Sequence, residues 1–448
     1  MIDDFILWGV SLATAGAIVL FYFLSFRRQR HANRERKEEA ARLGFDRPRA
    51  QFPFVDAGRC VGCGACVRAC PEGDVLGVVS GVATVINGLR CVGHARCQDV
   101  CPVGAIEVGL GDMKSRTDVP LMDEWQETTV PGLFVAGELT GMALVKNAVL
   151  HGRKVVERIA QRVDQEGARG AGDVYDIVIV GAGPAGLTAA ALARERRLST
   201  VLLEQEAGLG GTIFHYPRRK LVLVQALDIP FLGRLREGDY SKEDLLERFE
   251  ELSRRARLDV RFGQKALEVT RPNRQFTVRT ADGAFAARHV ILALGRRGTP
   301  RKLGAPGEEQ PKVMYQLTDA ASYQGQKILV VGGGDSAVEA AIALSEQRGN
   351  AVTLSYRRDR LVRIKKKNEA RIETALGSGR VQPLFGSQVS EIRERSVRLR
   401  VGDRDLELPN DYVFVFAGGE PPFEFLRRVG VRFGGEEELA SSPGAPPS

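Results

Sequence analysis

The sequence predicts an α/β protein with two Rossmann-like dinucleotide-binding domains, a small cysteine-rich domain and one N-terminal transmembrane helix. Three observations predict it. Strand, glycine turn and helix follow one another at Gly181 and again at Gly332; all seven cysteines fall between Cys60 and Cys101; and residues 5–26 are an uncharged run of 22. At 448 residues and 44% hydrophobic content the chain can bury two or three cores. Its net charge of +8 is local: residues 27–49 carry nine basic against four acidic side chains, and residues 357–367 seven against one. Charge confined to two short stretches argues against a nucleic-acid partner.

Residues 5–26 are long enough to cross a hydrocarbon core of about 30 Å at about 1.5 Å per residue. Asp3 and Asp4 precede the run, and Arg27, Arg28 and Arg30 follow it. A cleaved signal peptide would carry its positive charge first and have a shorter apolar core. The expectation is a single-pass anchor in the cytoplasmic membrane with the catalytic domains on the cytoplasmic side. Residues 27–51 then form a basic, solvated juxtamembrane stalk.

Residues 52–113 hold the cysteines. Cys60, Cys63, Cys66 and Cys70, followed by Pro71, give C-x2-C-x2-C-x3-C-P, a spacing that lets a loop wrap thiolates around an iron–sulfur cubane. Structural zinc sites use paired knuckles instead. The run nearly repeats as Cys91, His94, Cys97, Cys101 and Pro102. On these motifs the segment resembles the bacterial-type dicluster 4Fe-4S ferredoxins, in which the fourth cysteine of each run serves the other cluster. The resemblance implies one 4Fe-4S cluster on Cys60, Cys63, Cys66 and Cys101, and a second on Cys91, Cys97 and Cys70. His94 stands where a cysteine is expected. The second cluster is then a 4Fe-4S cluster with imidazole as fourth ligand, a 3Fe-4S cluster with His94 a bystander, or a cluster with solvent at the open iron. A neutral ligand in place of a thiolate raises the potential.

Residues 128–152, TTVPGLFVAGELTGMALVKNAVLHG, read as strand, turn and helix within a segment spanning 114–162. They resemble the segment that closes the flavin site in thioredoxin-reductase-like flavoproteins. The resemblance implies that Gly137 and Glu138 face FAD. In that family the segment comes last; here it precedes the first glycine motif. Residues 412–435 resemble the family's return into the flavin domain, with the return itself at 418–435 and a disordered tail at 436–448. The order implies a circular permutation, the alternative being an unrelated bridge between domains.

A polar linker at 164–172 leads into the FAD domain, 174–298. Gly181 permits the tight turn, Gly183 lets backbone amides approach a pyrophosphate, Gly186 lets helix and strand pack closely, and Glu204 ends the next strand where a ribose hydroxyl would be held. His215 and Tyr216, in GGTIFHYPR, either line the flavin face or simply pack. Ser241 caps an amphipathic helix. The NAD(P) domain, 299–417, repeats the fingerprint at Gly332, Gly334 and Ala337. No acid ends its next strand, whereas Arg357 and Arg358 can pair with a 2′-phosphate, so NADP(H) is favoured over NAD(H). Arg363 falls one place later than the corresponding arginine of thioredoxin reductases.

No cysteine follows Cys101. The redox-active C-x2-C of thioredoxin reductases is therefore missing, and the chain is more similar to ferredoxin–NADP reductases of this fold. The expected function is an FAD-dependent NAD(P)H oxidoreductase that exchanges electrons between nicotinamide, FAD and iron–sulfur clusters. Its partner would be a protein or quinone-linked redox carrier supplied in trans, and a homodimer is left open. Two other readings are a non-catalytic electron-transfer or redox-sensing subunit, and a disulfide reductase that uses a thiol from elsewhere.

Overall fold

The computed structural model describes the chain except for residues 1, 43–51, 111–115, 143, 168, 171, 217–220, 273–274, 297, 363 and 436–448. The expected tail, the Lys114 end of the displaced segment and Arg363 lie outside the described residues. The chain divides into two units, Met1–Gly111 and Asp112–Ser448.

The first unit opens on helix α1, Ile2–Arg42. Among the described residues, no helix is long and apolar enough to cross a membrane. The expected single-pass anchor is corrected accordingly, and the placement in the cytoplasmic membrane goes with it. The basic half of α1 also departs from a fully solvated stalk, because it packs on the cysteine-rich domain. Asn33 Nδ2 donates to Val78 O at 3.4 Å, Arg36 pairs with Asp74 at 3.0 Å, and Ala40 is buried.

That domain is two antiparallel ribbons and two short helices. Strand β1 (Phe52–Val55) pairs with β4 (Ile106–Gly109), and β2 (Leu76–Val79) forms a hairpin with β3 (Val82–Val85). Helices α2 (Ala65–Ala69) and α3 (Arg96–Asp99) carry Cys66 and Cys97, and Cys70 and Cys101 follow them. Cys66, Val75, Leu76, Ala83 and Ile106 form its small core, with Cys60, Cys70, Cys91, Cys97 and Cys101 packed against it.

In the second unit, strands β5 (Leu133–Val135), β6 (Val174–Val180) and β7 (Thr200–Leu203) run parallel in one sheet with the strand Ala284–Leu292. Near-continuous apolar runs suit them to burial on both faces. Helices α4 (Val145–Glu166), α5 (Pro184–Glu195) and α6 (Lys242–Ala256) cover one face. The expected linker at 164–172 begins inside α4. Ser241 caps α6 in a capping box, its Oγ accepting from Asp244 N while Asp244 accepts from Ser241 N. A second parallel sheet orders Val313–Met314, Tyr412–Val415, Lys327–Val331, Ala351–Tyr356 and Val381–Phe385. Helices α7 (Asp335–Ser345) and α8 (Lys366–Gly377) contribute to its core.

Candidate functional site

β6 ends in a turn whose geometry demands glycine. Gly181 has φ +104°, and a β-carbon there would lie 2.5 Å from Ala293 O. One at Gly186 would overlap Gly181 O, so α5 can approach β6 only through glycine. Gly183 caps α5, and Pro184 follows at the first helical turn. Gly211 packs on Gly183, and Gly210 N donates to Ala182 O at 2.8 Å, so a second glycine pair walls the turn. Sequence reading left Gly210 and Gly211 unassigned, although a Gly-Gly step before a short helix was a usable signal.

Glu204 follows β7 directly and is buried. Its Oε2 accepts from Ala182 N at 2.6 Å and its Oε1 from Glu206 N at 3.0 Å, and burial raises its pKa. In this structure the carboxylate therefore braces the glycine turn from within.

The displaced segment meets the same turn. β5 lies beside Val290–Leu292 of the central strand, and Ala136 N donates to Leu292 O at 3.0 Å. Gly137 follows with φ +76°, where a β-carbon would lie 3.1 Å from that of Ala185 on α5. Glu138 stands next to it, half-buried, in the short helix Gly137–Thr140. A β-carbon at Gly152 of α4 would overlap Ala185 O, so α4 and α5 touch backbone to backbone. The chain end returns to the beginning of this segment: Pro120 bridges Phe433, and Leu121 N donates to Arg432 O at 2.8 Å. Glu138 and Gly183 thus belong to one domain, as a circular permutation requires.

Under that turn sits His151, which the sequence reading passed over. It is buried on α4, hydrogen-bonded to the Gly137 backbone, with Nδ1 3.4 Å from Thr140 Oγ1. Burial lowers its pKa to about 4. A histidine among helix apolars gave no sequence signal. His215 bridges two loops, with Nδ1 3.0 Å from Gln316 Oε1 and Nε2 3.3 Å from Glu206 Oε1. Tyr216, half-buried, packs against the core, and its carbonyl accepts from Lys242 Nζ at 2.6 Å.

In the second turn, Gly332 has φ +148°, Gly334 caps α7 with nothing within 4 Å of a β-carbon, and Ala337 is buried. Arg357 and Arg358 follow Tyr356 at the strand end, the first exposed and the second half-buried. Open amides at the starts of α5 and α7 suit the pyrophosphates of FAD and a nicotinamide dinucleotide.

All seven cysteines are free thiols. Six of them fall into two neighbourhoods. Burial raises the Cys66 thiol, and Cys60 and Cys63 beside it add to the rise. Burial pushes Cys91 and Cys97 up to about 11; Cys70 adds to both rises, and Cys91 adds to that of Cys97. Cys70, Cys91 and Cys97 line one cavity together with Glu72 and His94. Cys70 therefore leaves its own run to join the other, the crossing implied by the ferredoxin resemblance. Among the described residues no group of three or more His, Cys, Asp or Glu side chains closes tightly enough for a single metal ion. A cluster asks for something different, since its own irons and sulfides fill the space between thiolates. Free thiols gathered on two loops fit that chemistry.

Residues 178–441 match the pyridine nucleotide-disulphide oxidoreductase family, more than half of the chain, and residues 52–102 match the 4Fe-4S dicluster domain. The chain belongs to the pyridine nucleotide-disulphide oxidoreductase family. The ferredoxin–NADP reductase of Ignicoccus hospitalis is 30% identical over 273 residues, which cover 59% of this chain and 84% of the relative. The thioredoxin reductase of Mycolicibacterium smegmatis is 32% identical over 265 residues, covering 57% and 78%. Among solved structures, the bacillithiol disulfide reductase Bdr of Staphylococcus aureus superposes with a TM-score of 0.52 at 27% identity, covering 58% of this chain and 80% of that one. As a member of this family the chain is an FAD-dependent NAD(P)H oxidoreductase, joined here to a 4Fe-4S dicluster domain.

Proposed function

We propose that this chain transfers electrons between NADPH and a redox protein supplied in trans, by way of FAD and two iron–sulfur clusters. The observation that carries the reading is the fusion itself: one chain joins two dinucleotide turns to two cysteine sets, and no cysteine stands in the nicotinamide domain. When bound, FAD supplies the exchange between hydride and single electrons, and the clusters supply single-electron carriers.

The protein's part is positional. The turns at Gly181–Gly186 and Gly332–Ala337 offer amides to pyrophosphates, and Gly137 and Glu138 close the first of these sites. Arg357 and Arg358 recognise the 2′-phosphate of NADP(H). His215 and Tyr216 stand at the loop by which relatives approach the flavin ring, and the His215 hydrogen bonds to Glu206 and Gln316 hold that loop. Cys60, Cys63, Cys66 and Cys101 hold the first cluster. Cys70, Cys91 and Cys97 hold a second 4Fe-4S cluster, with His94 as its fourth ligand. Cys63 is the exposed cysteine, and Val61 beside it is 64% exposed, which makes the first cluster the exit toward the partner.

The test is anaerobic iron, sulfide and flavin analysis of the full chain, followed by NADPH-driven reduction of a one-electron acceptor. Flavin and iron present without turnover would leave only a non-catalytic electron-transfer or sensing subunit. The likeness to bacilliredoxin reductase of Bacillus subtilis, 27% identical over 262 residues, supports a second reading, reduction of a disulfide brought by a partner. NADPH-dependent thiol release that survives loss of the clusters would favour it.

A further inference from the structure

The second cysteine set shares its cavity with a buried pair. His94 Nε2 lies 3.1 Å from Glu72 Oε1, and the two side chains are 10% and 11% exposed. Pro53, Val75, Leu76 and Val108 complete much of the wall, so little solvent competes for either group. The backbone presents both residues to the same space. Glu72 comes two residues after Cys70, so the loop that delivers that thiol delivers the carboxylate. His94 sits between two left-handed residues, Gly93 at φ +79° and Ala95 at φ +62°. Left-handed geometry is strained for a β-carbon-bearing residue such as Ala95 and is kept where surroundings enforce it.

A ring nitrogen engaged by a carboxylate keeps its proton there, and a metal falls to the other nitrogen. We propose that Glu72 is the positioning residue for His94, holding Nε2–H so that Nδ1 faces the iron bounded by Cys70, Cys91 and Cys97. This rests on the reading of His94 as a ligand. The carboxylate has a second effect. It draws the imidazole proton toward itself and gives the ring part of the negative charge that a cysteine would have brought, raising its basicity as a ligand. The His94–Glu72 pair thus stands in for the missing thiolate.

The experiment uses the full chain, purified anaerobically, with the second cluster reduced and histidine labelled with 15N. Pulsed electron paramagnetic resonance should detect histidine nitrogen coupled to the cluster, and His94→Ala should abolish it. Glu72→Gln keeps an acceptor oxygen but drops the charge, so the coupling should persist while the second cluster's potential rises. Glu72→Leu removes the acceptor, and the coupling should weaken or vanish while the first cluster's signal and the iron content of its set are unchanged. Absence of nitrogen coupling in the unmodified protein would remove the ligand reading and this inference together. Coupling that survives Glu72→Leu unaltered, with an unshifted potential in Glu72→Gln, would keep the ligand and overturn the role of Glu72.

Discussion

Single side chains carry the proposed nucleotide preference and one pH dependence of stability. Arg357 and Arg358 follow a strand that ends without an acid, so under the proposed reading a free 2′-hydroxyl would find no carboxylate there and a 2′-phosphate would meet two guanidinium groups. NADPH should reduce the flavin faster than NADH, and replacing both arginines by alanine should narrow the gap. Each lost charge-assisted contact is worth about 1.5–3 kcal/mol, tenfold or more in affinity. Equal rates with both nucleotides in the unmodified protein would end this assignment. His151 gives a pH prediction. Its folded pKa is depressed to about 4 by burial, with Lys154 adding to the effect, against an ordinary value of 6.5. Its contribution is complete above pH 6.5, where folded and unfolded chains both leave it neutral. Between 6.5 and about 4 the unfolded chain takes up a proton that the folded site refuses, so stability falls with pH by up to about 3 kcal/mol. His151→Gln should flatten the decline in Tm between pH 7.5 and 5, and an unchanged decline would show that other groups set it.

At the scale of elements, the contact of α4 with α5 joins the displaced segment to the dinucleotide turn. Gly152 on α4 and Gly186 on α5 are spaces that side chains would fill: Ala185 O stands at the first and Gly181 O at the second. Gly152→Ala should push α4 off α5 and move Gly137 and Glu138 with it. Overpacking of this kind costs about 1–3 kcal/mol, and the readout is flavin content together with Tm. Flavin retained at full occupancy would mean that the segment does not close the site. The pair of half-buried Arg162 and buried Glu127 also fastens α4. Arg162 Nη1 donates to Glu127 Oε1 at 2.6 Å, Nη2 donates to Oε2, and Gly132 N donates to Oε1 at 2.6 Å. Burial opposes the Glu127 charge, but these hydrogen bonds hold its pKa below the usual range.

For the whole molecule the question is whether electrons must pass the clusters. Cys63→Ala removes an exposed thiol from the first set and touches neither dinucleotide turn. Flavin reduction by NADPH should be spared, and reduction of the one-electron acceptor partner should stop. Normal acceptor reduction in that variant would give the clusters a structural role. The cysteine crossing makes the two sets mutually dependent, so iron retained by the second set in Cys63→Ala should be counted alongside.

Two glycine turns, the cysteine spacing and the helix cap at Ser241 were legible in the sequence because each is a local requirement. Gly181, Gly186 and Gly332 stand where backbone meets backbone, cysteines at intervals of three wrap a loop around a cluster, and Ser241 meets Asp244 within one turn. The uncharged run at 5–26 was legible as composition, but its reading as a span was not upheld, and the basic half of the same helix turned out to pack on β2. Tertiary structure decided what depends on partners distant in the chain. Glu204 turns inward because Ala182 N, 22 residues away, reaches it. Gly137 meets Ala185 only because β5 pairs with residues 157 positions later in the chain. The Glu72–His94 pair exists because two loops, each ordinary in sequence, close over one cavity. Spacing along a chain specifies which residues can act together locally; only the folded backbone brings together residues that no local spacing connects.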